Sequence, residues 1–478
     1  MIVGRKKEIE AFQKICDQEA PRFMAIWGRR RVGKTFLVRE FFSTKGKFFE
    51  LVGQKGASTS EQLLNFSQSY GATYLRNAAG STPPSWQEAL AVLTRQLTTE
   101  CKHGKQILFF DELPWLGQSC LNALDHAWNA HWSKLPNVIL IVCGSSASWM
   151  IRKVINAKGG LYNRLTDTIH LQPFDLYETR QFLDKKKIKY PLFQLVELYL
   201  ATGGVPQYLD LLKSGLSVAQ NIDQLMFQDA APLRQEYDRL FEALFDHSKF
   251  HYAIMKYLAK SRHGVMRKDL KASLKMADGT LQDTLAELEA SGFIKNYVPF
   301  GYRKRESFCR ITDEFSLFFL KWIEPIKNKK VGKNYWISLQ SSPSWASWAG
   351  YGFEWFCEKH SEQLLRALGI NGISSTISKW QRQADPDKDQ PGVEIDLLID
   401  RADHVINLCE VKFTRKPLII DKKFVQNQKV RLAIFETMTK TRKACIPLLI
   451  SANGVLDNEH FKEVFQHVIT LDDMFKSP

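Results

Sequence analysis

Apolar positions in the first third of the chain come in short, strand-length runs, separated by longer stretches of helical spacing. Residues 23–27, 47–52, 107–110, 138–143 and 168–171 form the short runs. Each is too short for a helix and rich in branched or aromatic residues, which predicts buried strands. Between them apolar residues recur every third or fourth position, as in Ile9, Phe12 and Ile15, and again over 36–42, 60–74 and 85–101. Strands alternating with helices predict a parallel sheet covered on both faces, here over residues 1–172. From 173 to 245 the pattern is helical throughout, with helices predicted over 175–184, 192–201, 205–212 and 218–227. Residues 246–335 open with three helical runs, 250–259, 267–274 and 278–291. Strands over 296–300 and 307–312 follow, flanking the turn 301–306. That order is a helix-turn-helix with a wing. The charged stretch 325–333 reads as a linker. In 341–478 a helix around Phe353–Glu358 precedes a hairpin of strands 394–399 and 405–413, and 446–450 is the clearest later strand. The fold class is α/β.

The loop after the first short run is Gly28-Arg29-Arg30-Arg31-Val32-Gly33-Lys34-Thr35. Between a strand and a helix, GxxxxGK[ST] binds polyphosphate, because its glycines let the backbone curl until its N–H groups face the ligand. Lys34 reaches the β and γ phosphates, and Thr35 offers its hydroxyl to Mg²⁺. The helix N-terminus adds partial positive charge. The third run ends in Asp111-Glu112, at the strand end where ligands bind in open α/β sheets. Asp111 is placed to hold Mg²⁺ with Thr35, and Glu112 to polarise the attacking water. The fourth run ends in Ser145-Ser146. Ser145 is the candidate to orient that water, with helix capping as the competing use of either serine. Arg164, before the fifth run, is either an arginine for the γ-phosphate or a surface residue. ATP and Mg²⁺ are the implied cofactors, and the paired motifs point to hydrolysis.

A net charge of +15 is compatible with a polyanionic partner. More than half of the excess lies in residues 249–333, which hold 18 Lys and Arg against 9 Asp and Glu. The third helix of that region is mostly acidic on its outer side (Gln282, Asp283, Glu287, Glu289), whereas Arg262, Arg267, Lys268, Lys271 and Arg303-Lys304-Arg305 supply the basic groups. DNA contact and a protein-interaction role both fit. No apolar run spans a bilayer and no signal-peptide core opens the chain, so a cytoplasmic location without membrane contact is expected. The eight cysteines include no CxxC pair and read as reduced thiols. A homo-oligomer is compatible with the sequence.

Together GRRRVGKT, Asp111–Leu116, the stretch from Leu161-Tyr162-Asn163-Arg164 to Phe174, and Thr202-Gly203-Gly204-Val205-Pro206-Gln207-Tyr208-Leu209 resemble the archaeal-type ATPase family of the AAA+/STAND group. The resemblance runs from Ile2 to about Leu212. It implies a P-loop αβα core (1–172) with a small helical lid (173–245). In such lids a glycine–proline turn like the one ending in Pro206 sits against nucleotide, though a purely structural turn fits equally. Around Arg164 the family carries a more arginine-rich run than this chain does.

Glu410 and Lys412 lie two apart on one strand and share a face, and Asp396 on the neighbouring strand can join them. With Glu354 from the preceding helix they make a set that could hold a divalent metal at Asp396/Glu410 and cut a phosphodiester. This D…ExK arrangement resembles the PD-(D/E)XK, restriction-endonuclease-like fold, which implies a nuclease-like domain over 341–478. Such domains are C-terminal partners of archaeal-type ATPases. DNA would then be met through the winged helix (246–335) and this last domain; a catalytically inactive version serving protein interaction is the alternative.

Overall fold

The computed structural model describes residues 2–75, 81–156, 164–245, 247–303, 306–382 and 392–476. Five strands form the first sheet: β1 (Arg22–Trp27), β2 (Lys47–Val52), β3 (Gln106–Asp111), β4 (Val138–Gly144) and β5 (Asp167–His170). They pair in the order β2-β3-β4-β1-β5, all parallel. Alternation explains why the runs of the central strands are unbroken. Leu108, Phe110, Leu140 and Val142 pack on one face against Phe66, Trp86 and Trp128. Ile107, Phe109, Ile139 and Ile141 pack on the other against Phe12, Val38 and Phe42. Along β3 and β4 both faces are buried, so residues 107–110 and 138–143 are apolar at every position, whereas the edge strands β2 and β5 are only partly buried and carry Glu50, Thr168 and His170. The phosphate loop leaves β1 at the C-terminal edge of this sheet and enters the helix Lys34–Phe42. Gly28, at φ 145°, passes so close to β5 that a Cβ there would lie 2.3 Å from the Leu171 carbonyl oxygen.

Helices Leu176–Lys185, Leu192–Thr202, Pro206–Asp210 and Val218–Ile222 follow. The winged helix comprises Ser248–Leu258, Arg267–Leu274 and Asp278–Ala290 with a small sheet of β6 (Val265–Met266), β7 (Ile294–Tyr297) and β8 (Phe308–Ile311), ordered β6-β8-β7. Its third helix packs against the ATPase segment Ala147–Met150, and Glu287 on it bonds both Arg152 (3.1 Å) and His251 (2.9 Å). Gln282, Asp283 and Glu289 remain exposed. Lys304 and Arg305 of the basic turn lie outside the described residues.

The C-terminal portion opens with the long helix Pro343–Lys359. Its sheet has β9 (Ser375–Arg382), β10 (Val393–Arg401), β11 (Val405–Lys412), β12 (Ala444–Ser451) and β13 (Val468–Ile469), ordered β13-β12-β11-β10-β9. β9, β10 and β11 are antiparallel, as the hairpin pattern predicts; the helix Lys422–Thr439 then carries the chain to β12, parallel to β11.

The linker reading of 325–333 needs correction. Arg234 donates from Nη2 to the carbonyl oxygens of Ile326 (3.1 Å) and Lys329 (2.5 Å), which pins this stretch to the preceding helical region. Charged composition hid the tie because backbone carbonyls make it. One hydrophobic core, from Phe174 and Leu176 through Phe241, Phe293, Phe318, Trp336 and Phe353 to Phe475, runs through lid, winged helix and C-terminal portion without interruption.

Candidate functional site

The end of β1, the end of β3 and the end of β4 meet at the phosphate loop because parallel strands share one C-terminal edge. Lys34 Nζ donates to the carbonyl oxygens of Gly28 (2.9 Å) and Arg29 (3.0 Å), within the curl a polyphosphate would fill. Thr35 Oγ1 donates to Asp111 Oδ2 at 2.7 Å, so the two predicted Mg²⁺ ligands are adjacent and offer only hard oxygen donors. Glu112 has the left-handed backbone of φ 47°, rare for a residue with a side chain and typical of strained functional positions. The conformation carries its carboxylate to Ser145, whose N–H and Oγ donate to Glu112 Oε2 at 3.1 and 2.8 Å. Ser146, at the cap position of the next helix, makes no side-chain cap bond. Of the two serines, Ser145 is therefore the one in contact with the acid.

A cavity of about 630 Å³ lies over these groups, lined by Arg30, Arg31, Gly33, Lys34, Thr35, Glu112 and, from the lid, Phe182, Pro206, Gln207 and Asp210. The glycine–proline turn thus faces the phosphate loop. Gly204, at φ 66°, approaches so closely that a Cβ would lie 2.3 Å from the Phe174 carbonyl oxygen.

Two of the candidate arginines have side chains placed away from the cavity. The Arg29 side chain leaves the cavity: it is buried, ion-paired with Asp313 beyond the wing, and sits between the rings of Tyr208 and Phe293. Its contribution to phosphate binding is confined to its backbone. Arg31 lines the cavity but is paired with buried Glu236 at 2.5 Å, which also accepts from the Tyr208 hydroxyl. Val32 is buried, its carbonyl accepting from Arg5 Nη2 at 3.1 Å. Arg164 lies at the wrong edge of the sheet. Thr166, two residues later, bonds through its N–H to Phe23 O near the start of β1, and Arg164 is exposed near Asp125. A strand length of roughly 15 Å separates it from the loop, so it has no cis contact with a γ-phosphate. The neighbouring Leu161, Tyr162 and Asn163 lie outside the described residues.

Arg5 is a site residue that the motifs did not reveal. Its guanidinium donates to the carbonyl oxygens of Gln172 (2.8 Å) and Val32 (3.1 Å), stacks over Phe174, and its backbone N–H donates to Glu178. It ties the chain start, the phosphate loop and the lid together. The arginine after Gly4 was its only sequence signal.

In the C-terminal sheet, Glu354, Asp396, Glu410 and Lys412 do converge. Burial, then Glu410 and Glu354, push Asp396 up to about 7, although Lys412 and the Val411 N–H (2.8 Å) oppose the shift. Every carboxylate has its own donor, however. Lys379 Nζ bonds Glu354 Oε2 at 2.7 Å, and Glu410 is paired with both Lys412 and Arg431. Among the described residues no group of three or more ligating side chains could hold a metal. Asp396 and Glu410, the two expected divalent-metal ligands, thus have the Val411 N–H and the Lys412 and Arg431 side chains as their partners in this structure. Lys379 and Arg431, from β9 and the following helix, had no sequence signal.

Asp396 sets a pH dependence. Between its unfolded value near 4 and its folded value near 7 the folded chain holds a proton that the unfolded chain has lost, so this group's contribution to stability falls as pH rises through that window. Asp396→Asn should therefore gain in melting temperature relative to wild type on going from pH 5 to pH 8. A difference that is flat or shrinks would contradict the assignment.

Residues 2–212 match a family described as an ATPase domain predominantly from Archaea, and residues 251–328 match a winged helix DNA-binding domain. An uncharacterised protein of Methanocaldococcus jannaschii is 25% identical over 330 residues, covering 68% of this chain and 69% of that protein. An uncharacterised ATP-binding protein of the same organism is 38% identical over 45 residues, 9% of this chain and 76% of its own. Among solved structures, the Walker-type ATPase of Pyrococcus abyssi aligns with a TM-score of 0.45 at 17% identity, covering 67% of this chain and 96% of that one. Among the described residues no helix is long and apolar enough to cross a membrane.

Proposed function

The chain belongs, through residues 2–212, to the ATPase family found predominantly in Archaea, and from that membership we propose that it is an Mg²⁺-dependent, ATP-hydrolysing switch of the AAA+/STAND type. Lys34 and the loop amides carry the β and γ phosphates. Thr35 and Asp111 would hold Mg²⁺, whose charge offsets that of the phosphoryl oxygens. Glu112 orients the water and accepts its proton, and Ser145 holds Glu112 on that line. Pro206 and Arg30 close the cavity from either side. The observation that carries this reading is the Glu112 carboxylate, held by Ser145 inside the cavity that contains Lys34 and Thr35. In this reading the chain divides into an ATPase core (1–172), a helical lid (173–245), a winged helix (246–335) and a nuclease-like domain (341–478).

The load is DNA in our reading, met by the winged helix and by a PD-(D/E)XK-like domain. The order of helix, three antiparallel strands, helix and parallel strand in 341–478 supports that fold, and the clustering of Glu354, Asp396, Glu410 and Lys412 supports the chemistry. One observation favours a second reading, a nucleotide-gated interaction module with an inactive nuclease-like domain: each of its carboxylates is already satisfied by a protein donor. ATP turnover by wild type should exceed that of Lys34→Ala at least a hundredfold, and equal rates would refute the enzyme. DNA cleavage with Mg²⁺ or Mn²⁺ that is lost in Asp396→Ala supports the first load, and no cleavage supports the second.

A further inference from the structure

The end of β8 and the residues just after it meet the phosphate loop at one side, through Asp313 and Arg29, and the C-terminal helix Pro343–Lys359 at the other, through Arg310 and Glu358. At the loop, Lys34 is bonded to the Gly28 and Arg29 carbonyl oxygens. A polyphosphate that draws Lys34 to itself breaks both bonds and resets the backbone that bears the Arg29 side chain. That side chain is paired with Asp313, whose second oxygen caps the helix Glu314–Phe318 through the Ser316 N–H at 2.9 Å. Three residues earlier, buried Arg310 on β8 pairs with Glu358 and lies 3.8 Å over the Trp355 ring. Glu314 accepts from Lys359 Nζ at 2.9 and 2.7 Å.

The end of β8 and the helix after it therefore grip the last turn of Pro343–Lys359 at Trp355, Glu358 and Lys359. Glu354 is the next residue back on that helix. Its partner Lys379 bonds it at 2.7 Å and also lies 4.0 Å from the centroid of the same Trp355 ring. The wing holds Lys379 a second time, through the Phe300 N–H donating to its carbonyl oxygen at 3.0 Å while Phe300 packs on Phe435. His263 of the winged helix lies 3.3 Å from Glu394 at the start of β10. Breaking one member of a buried ion pair is costly, so such elements shift as units.

We propose that Arg310 and Asp313 are positioning residues that transmit the state of the phosphate loop to the Glu354–Lys379 pair. Nucleotide on the loop displaces Arg29, Asp313 follows it, and the grip of β8 on Pro343–Lys359 changes, resetting the C-terminal carboxylates. This rests on the loop being the nucleotide site and is independent of whether the C-terminal domain cuts DNA. The coupling is reciprocal, so whatever occupies the carboxylates alters nucleotide affinity in return.

Hydrogen exchange of the full chain, with and without a non-hydrolysed ATP analogue and Mg²⁺, tests the relay at residues 28–35, 353–359 and 375–382. Nucleotide should protect 28–35 and change exchange at the two distant segments at least fivefold in wild type. In Arg310→Gln and in Glu358→Gln the loop should stay protected and the distant response should vanish. Arg310→Lys, which keeps the charge but loses the planar fork and stack, replaces the glutamine variant if that fails to fold, and should weaken the response. Distant segments that ignore nucleotide while 28–35 is protected, or that respond in the variants as in wild type, overturn the relay. No protection at 28–35 in wild type would instead overturn the nucleotide reading.

Discussion

Glu112→Gln is expected to bind ATP about as tightly as wild type and to turn it over roughly 10²–10⁴-fold more slowly, the usual contribution of a positioned general base. The amide is nearly isosteric and its oxygen can still accept from the Ser145 N–H and hydroxyl, so the loop cavity should be undisturbed. What it loses is the capacity to take a proton from water. Steady-state phosphate release paired with equilibrium binding of ATP separates the two effects. Retained turnover would move the base elsewhere, and lost binding would make Glu112 a structural residue.

Asp313→Ala should be the most destabilising single change among the contacts described. It strands the Arg29 guanidinium, 5% exposed, beside Tyr208 and Phe293 without a direct ion-pair partner, the nearby Glu236 being paired with Arg31, and it removes the side-chain cap of Glu314–Phe318. Removing one partner of a buried pair costs about 3–5 kcal/mol. Arg39→Ala breaks the more exposed Arg39–Glu50 pair and should cost under about 1 kcal/mol. Denaturant unfolding of the two variants side by side makes the comparison. Equal midpoints would mean that Arg29 finds another partner.

What could be read from the residues was local. The loop 28–35, the Asp111-Glu112 strand end and the Glu410/Lys412 spacing each depend on neighbours in sequence and on a strand's period of two, and each lands where the pattern places it. The partners of those residues are distant. Arg29 meets Asp313, Arg31 meets Glu236, Arg5 meets Glu178 and Glu354 meets Lys379. No spacing rule relates such pairs. For Arg164 the two readings could not be separated locally: a position before a strand does not reveal the residue's placement in space, and in a parallel sheet the start of every strand faces away from the ligand. Of the acidic outer side of the third winged-helix helix only Glu287 meets the ATPase, at Arg152, while Gln282, Asp283 and Glu289 stay exposed.

The continuous core from Phe174 to Phe475 also bears on how the chain is made. The parallel sheet closes on residues before 172 and can be complete early in synthesis. The lid over the phosphate loop cannot, because its helix Leu192–Thr202 packs on Pro343–Lys359, with Tyr199 against Phe356, and on Leu471–Met474. At about 5–20 residues per second, the ribosome needs roughly 15–60 s to deliver those last partners. For that interval an emerging chain carries a finished phosphate loop under an unfinished lid, with aromatic surface open to water, and early nucleotide binding or a chaperone would be of most use to it then.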